Sequence, residues 1–387
     1  MHSNKTRSLL LPLLLTGAAS QLRATNGDQM IATGTKSMGM GGVSVAMPFG
    51  AESGLANPAL VTYMERSEIS GSVTLFFPDI KTKTDLLASN DYVESNSDFY
   101  LMPAVQYATH VGGSFYAGLG VWGIGGMGVD FTDSRRGSGL MQMKDDLMIM
   151  HIAAPLALKE GGMSIGIAPI LQVGMLDMEY DNGGSIKGHP FDKDLEANVG
   201  AVVGLAYDFG NGLILGAKYR TPISMTYENS AGGNDLELEQ PGEFGVGFSY
   251  TYQAHTIAFD YKRIQWGSAT GYSRFGWEDQ DVYAVGYQYR GEDWAFRLGY
   301  NHGDRPIDTS RTAAWQDYLN LLGLPATSED HYTAGFSYTV NESYSLDFAA
   351  VYSPEETTRG TIIESIPVNI SNKHSEFSLT AQLNYKF

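Results

Sequence analysis

FSLTAQLNYKF, residues 377–387, alternates without a break. Phe377, Leu379, Ala381, Leu383, Tyr385 and Phe387 fall on one side of an extended chain, and Ser378, Thr380, Gln382, Asn384 and Lys386 on the other. Successive side chains of a strand point to opposite faces, so this stretch predicts a strand between an apolar medium and water. The pattern recurs upstream. Phe244, Val246, Phe248 and Tyr250 alternate with Gly245, Gly247 and Ser249, and Trp294, Phe296, Leu298 and Tyr300 with Ala295, Arg297 and Gly299. Tyr332, Ala334, Phe336 and Tyr338 alternate with Thr333, Gly335 and Ser337; Tyr344, Leu346, Phe348, Ala350 and Tyr352 enclose Ser345, Asp347 and Ala349.

The second faces decide which medium is meant. A soluble sandwich points its large residues inward and its charges out. Here one face is aromatic and aliphatic and the other small or polar, over most of the chain, and in water so much apolar strand surface would need equally extensive partners. Lipid covers it directly. The 387 residues include 46 glycines, 23 tyrosines and 17 phenylalanines, a composition for many tight turns and pleated surfaces. No run after the first residues approaches the length of a spanning helix, and lipid leaves no partner for an open sheet edge, so a membrane form must be a closed barrel. Aromatic residues at strand ends, such as Tyr338, Tyr352 and Phe387, fit interfacial girdles.

Connections alternate in length. Tight links fall at 111–113, 160–162, 209–212, 253–254, 291–293 and 341–343, and longer ones at 84–98, 123–146, 181–195, 230–240, 267–279, 303–329 and 358–373. Short turns on one rim and long loops on the other are the habit of outer-membrane barrels, and strands counted between these links number about fourteen.

The chain opens with Lys5 and Arg7, then LLLPLLLTGAAS, an apolar core ending in small residues. That is the form of a secretory signal, with cleavage after Ala19, Ser20 or Ala24; the core is too short for the ~20 residues of a spanning helix. The expected organisation is a signal peptide over 1–24, an N-terminal segment over 25–66 and a barrel over 67–387. A net charge of -18 disfavours nucleic acid, whose phosphates need clustered Lys and Arg. Much of the acid lies in runs read as loops, either a solvated surface or one bridged by divalent cations to anionic headgroups. The surroundings expected of the barrel are outer-membrane lipid and lipopolysaccharide, and a monomer is expected.

Between signal and barrel lies GMGGVSVAMPFGAESGLANPAL, residues 39–60. Its glycines suggest a phosphate loop, but that fingerprint needs a preceding buried strand and a following helix, and Pro48 and Pro58 interrupt any helix. A compact segment of small residues in this place can fold back into the lumen, where Gly39, Gly41 and Gly42 let backbones approach closely. Asn57 can hydrogen-bond its surroundings and Pro58 holds it extended. This reads as a plug.

The stretch from Gly34 through Asn57, Pro58 and Ala59 resembles the N-terminal hatch of the FadL-type family, outer-membrane transporters of long-chain fatty acids and aromatic hydrocarbons. PAVQYATHVGGSFYAGLGVWGIGG, GLILGAKYRTPISM, PGEFGVGFSYTYQAHTIAFDYKRIQWGS and the terminal LNYKF are similar to the same family. The resemblance implies a fourteen-stranded antiparallel barrel with the hatch in its lumen. It also implies capture of a hydrophobic molecule at the external loops and sideways release beside a kinked third strand, with Asn-Pro-Ala near the kink. The third strand is expected over about 114–122, and the kink at Gly123, Gly125 and Gly126; glycines mark bulges and bends, or else open the next loop.

One departure concerns capture. The family's third and fourth external loops carry a helical apolar groove; here the third, DNGGSIKGHPFDKDLE, is short and polar. SRTAAWQDYLNLLG, with Trp315, Tyr318, Leu319 and Leu322 on one helical face, either replaces that groove or packs on its neighbours.

Inside the lumen, Lys218, Arg220 and Arg297 are candidate partners for a substrate carboxylate, or braces for wall carboxylates such as Asp260 and Asp347. The eight histidines are scattered and cysteine is absent, so no zinc site, cysteine nucleophile or cofactor is indicated. The expected function is non-enzymatic: passive uptake of hydrophobic small molecules across a Gram-negative outer membrane. A porin-like channel for polar solutes and a structural or adhesive barrel are the alternatives.

Overall fold

The computed structural model describes residues 25–86, 91–135, 137–181, 186–188, 194–228, 235–307, 314–362 and 368–387. The proposed signal, 1–24, lies outside the described residues. Fourteen antiparallel strands form the wall: β1 Glu68–Thr84, β2 Tyr100–Gly112, β3 Phe115–Asp130, β4 in two pieces (Lys144–Ala153 and Leu156–Glu160), β5 Met163–Asp181, β6 Asp194–Asp208 and β7 Leu213–Arg220. They continue as β8 Glu243–Tyr252, β9 His255–Ile264, β10 Gln280–Arg290, β11 Trp294–Gly303, β12 Asp330–Thr339, β13 Tyr344–Ile362 and β14 Val368–Lys386. Each pairs with its sequence neighbour, and β14 closes on β1 from Ile370↔Thr84 to Lys386↔Glu68.

Burial runs opposite to that of a soluble protein. On β14, Ser378 and Asn384 are fully buried, whereas Leu379 is 43% and Leu383 50% exposed. The polar face meets the interior, and the apolar face forms a continuous outer belt with Phe296, Leu298, Phe336 and Phe348. Water would not tolerate that belt; a hydrocarbon layer accounts for it. The aromatic stacks Tyr344–Tyr385 and Tyr385–Phe387 lie at one rim of the strands, and Phe77–Phe377 toward the other.

All six tight links fall between strands where the alternation placed them. Four of them bend through Gly113, Gly161, Gly210, Gly212 and Gln253, each with positive φ. The long-link boundaries shift in three places. β3 does not stop near Trp122 but runs through its glycines to Asp130, β7 ends at Arg220 and not near 230, and β13 and β14 extend to Ile362 and from Val368. Backbone pairing to β4 carries the glycine run as strand although its side chains contribute nothing.

Candidate functional site

Residues 25–64 are largely buried and pack on inward-facing residues of the wall, and Glu65 and Arg66 are exposed. Short strands Thr25–Asn26 and Gln29–Met30 precede α1 (Thr35–Met38), α2 (Ser53–Ala56) and a 3-10 helix, Pro58–Tyr63. The seat depends on absent side chains. A Cβ on Gly39 would stand 2.7 Å from the Cα of Gly335, and one on Gly299 would stand 2.0 Å from the amide nitrogen of Gly41. Gly41 and Gly42 also have φ of +74° and +83°. Backbone therefore packs on backbone between segment and wall.

Carboxylates hold the segment's free amides. Asp260 of β9 accepts from the amides of Ser44 at 2.6 Å and Val45 at 2.9 Å. Glu52 accepts from those of Lys36 and Ser37 at the start of α1, and Glu68 from that of Ala51. Burial pushes the Glu52 carboxyl above its usual range. The Lys36 ammonium is 3.4 Å from Asp347; burial opposes its charge, but Asp347, Glu68 and Glu52 outweigh that and hold it above the ordinary lysine value.

Asn57 is fully buried. Its amide donates to the carbonyls of Val45 at 2.7 Å and Leu205 at 3.2 Å, and its oxygen caps the 3-10 helix through the amide of Ala59. Pro58 and Ala59 press on Gly204 and Gly166. These contacts are with β5 and β6, whereas the resemblance implied a place beside the kink. At the kink itself the segment's neighbours are Asp28 and Gln29, while Leu55 meets the same strand nearer its start, at Gly120.

Pairing of β2 with β3 runs only as far as Ala104↔Trp122. Beyond it, Tyr100–Pro103 and Gly123–Gly128 face each other unpaired, and the β3–β4 register slips between Gly123 and Gly125. Pro103 has no amide to offer a ladder. The N-terminal segment takes the vacant edge: Gln29 pairs with Gly125, and the Gly126 amide donates to the Asp28 carbonyl at 2.8 Å. A Cβ on Gly125 would stand 2.0 Å from that carbonyl oxygen. The gap closes again where the Asn96 amide donates to the Asp130 carbonyl.

Through this gap passes a cavity of about 130 Å³. Thr25, Gly27, Met30, His374 and Glu376 line its inner end; Leu101, which is 57% exposed, and Pro103 line its outer end. Tyr100 reaches across toward Gly128. At the inner end Thr25 donates to Glu376, whose carboxylate is 3.3 Å from His374. Asp28, fully buried, accepts from Gln240 at 2.9 Å and from Tyr272. Burial pushes its carboxyl up to about 6 despite these two donors and Arg220.

The proposed substrate cations stand elsewhere. Lys218 is 2.7 Å and Arg220 3.4 Å from Glu243, and Arg220 also donates to Gln29. Arg297 donates to Ser337, which donates in turn to Asp347, and its guanidinium lies 5.9 Å from the Phe49 ring centre. None of the three lines the cavity. Their geometry matches the bracing alternative, with Glu243 in the place expected for Asp260. The helix Ala314–Gly323 exists, though the Trp315 side chain lies outside the described residues. Its Tyr318, Leu321 and Leu322 pack with Ile80, Phe131 and Leu140, so the inward face includes Leu321 and leaves Leu319 half-exposed.

Sequence reasoning missed Asp28, Gln29, His374, Glu376 and the cavity's methionines. They come from several elements spread along the chain and form no linear motif.

A closed barrel with a polar interior and an apolar outer belt is an outer-membrane β-barrel, and comparison with known proteins agrees. A family model described as Gram-negative porin matches residues 171–353, a little under half of the chain. Among curated proteins none matches the sequence. The fold is shared with the Pseudomonas putida toluene transporter TodX, at 16% identity and a TM-score of 0.69 over 92% of this chain and 99% of that one. A Pseudomonas aeruginosa FadL homologue superposes at 14% identity and a TM-score of 0.72, over 93% and 100%. The Ralstonia pickettii toluene transporter TbuX gives 17% and 0.69, over 92% and 98%. The chain has the fold of the FadL/TodX-type transporters.

Proposed function

We propose that the protein is a passive channel for hydrophobic small molecules in which residues 25–66 act as a hatch and cargo leaves sideways between β2 and β3. The observation that carries this reading is the apolar gap in the wall, joined to a route along the axis that the N-terminal segment fills backbone to backbone. The toluene transporters that share the fold support the cargo class. Below the hatch lies a cavity of about 700 Å³ lined by polar groups such as Glu65, Arg66, Gln253, Gln288 and Arg290. An apolar molecule gains less by entering it than by passing the wall gap, which opens onto hydrocarbon.

The partial match to a Gram-negative porin model favours one other reading, diffusion of polar solutes through that lower cavity. Uptake by a deletion strain carrying the protein separates the two. Labelled toluene or long-chain fatty acid should enter faster than in the strain without it, and a labelled sugar should not. Preferential sugar entry would overturn the proposal.

A further inference from the structure

Six methionines converge on the wall gap from five elements: Met30 of the N-terminal segment, Met102 of β2, Met127 of β3, Met148 and Met150 of β4, and Met175 of β5. Met148 stands opposite Met175 in one register and opposite Gly126 in the other, while Met150 stands opposite Gly123. Met30 is nearly buried and the other five are half-buried, so their side chains line a space rather than fill a core. Along β5 the outward positions between Met163, at the end of the strand away from the gap, and Met175, beside it, carry Ile165, Ile167, Pro169, Leu171 and Val173. Either kind of side chain would satisfy lipid. Branched aliphatics give a fixed surface, whereas methionine is unbranched, turns about three bonds and presents a polarisable sulfur that contacts aromatic rings favourably.

We propose that these methionines form a selectivity element which passes neutral single-ring aromatic molecules in preference to saturated molecules of the same size. The inference rests on the sideways-release reading and names its cargo. The cavity, about 130 Å³, is close to the roughly 150 Å³ of a protein cavity that holds benzene. Flanking glycines at 123, 125, 126 and 128 leave the thioethers as the movable part of the rim. The lining carries the Glu376 carboxylate and, among the described residues, no lysine or arginine, so an anionic headgroup finds no fixed cation there.

The test is uptake of toluene against methylcyclohexane by cells lacking other hydrocarbon channels. It compares the full-length protein with a variant carrying Met102→Leu, Met127→Leu, Met148→Leu and Met150→Leu, changes that nearly conserve volume. Two double variants, Met102→Leu with Met127→Leu and Met148→Leu with Met150→Leu, cover a failure of the quadruple to fold, which heat-modifiable gel migration reports. The protein should favour toluene by about fivefold, and the variants should lose most of that ratio while admitting methylcyclohexane unchanged. Equal entry of both molecules into cells with the unaltered protein, or a ratio that survives in folded variants, would overturn the selectivity element while leaving hydrophobic uptake intact. Entry of neither above the empty strain would overturn the selectivity element, and the reading beneath it as well if labelled long-chain fatty acid is also excluded.

Discussion

The amide of Gly126 donates to the carbonyl oxygen of Asp28 across 2.8 Å, so β3 is paired here with the chain's own N-terminal segment and not with β2. A barrel closed all round would have no such vacancy. Because the segment occupies the inner side of the edge, β3 keeps its backbone groups satisfied while the wall beside it stays open. The opening and its seal thus share one pair of residues.

Gly125→Ala should disturb that pair. The new Cβ would stand 2.0 Å from the Asp28 carbonyl oxygen, a backbone atom that cannot swing aside. At Gly123 the nearest atoms are those of Met102 at 3.7 Å and beyond, which is ordinary contact. Uptake by the Gly125 variant should change by about fivefold or more, matching a local cost of about 1–2 kcal/mol, while Gly123→Ala stays near the parent. Equal behaviour of the two variants would detach the gap from transport.

Seating of the segment at Asp28 should depend on pH. Burial raises this carboxyl to about 6 from the ordinary 3.8, so the protonated form favours the seated state. Its contribution, up to about 3 kcal/mol, is complete below the ordinary carboxylate value and fades as pH rises through about 6. Hydrogen exchange at Gly126, corrected for its intrinsic pH dependence, should show stronger protection at pH 5 than at pH 7.5. Asp28→Asn should remove the difference.

Asn57→Ala removes the cap of the 3-10 helix and the donor to Val45 and Leu205 in one step. Leaving those partners unsatisfied costs about 1–3 kcal/mol. The expected result is protease cleavage within residues 39–66 while the barrel keeps its heat-modifiable migration. A variant as resistant as the parent would show that Asn57 does not anchor the segment.

Lys218→Ala tests the wall charges. It leaves Glu243, in a buried site, with the longer ion pair to Arg220 at 3.4 Å. Removing one member of a buried pair costs about 3–5 kcal/mol, so the variant should unfold at lower denaturant concentration. Toluene uptake by the folded fraction should be unchanged. A selective loss of fatty-acid uptake would restore Lys218 as a headgroup partner.

Much of the wall was legible because a strand's period of two is local. Once Phe377 to Phe387 is read, each neighbouring strand repeats the test, and the turns at Gly113 or Gln253 follow from where alternation stops. The glycine run of β3 was less legible, since a strand built from Gly123, Gly125, Gly126 and Gly128 shows no alternation. Its extent depends on pairing with β4 and with Gln29. The lumen charges could be placed inward from Lys218 and Arg220 alone, but not matched to Glu243, because strand register lies outside any single stretch.

Sequence by itself determined that the chain is a barrel with lipid outside, since the period and polarity of each strand are carried by adjacent residues. It also marked Gly39, Gly41 and Gly42 as places where backbone must come close. Tertiary structure alone decided where the wall opens, which residues seal it and which side chains meet in the gap. Asp28 and Gly126, or Met30 and Met175, are far apart along the chain and become neighbours only when the barrel closes around its own beginning. Closure is a property of all fourteen strands together, and no local pattern records it.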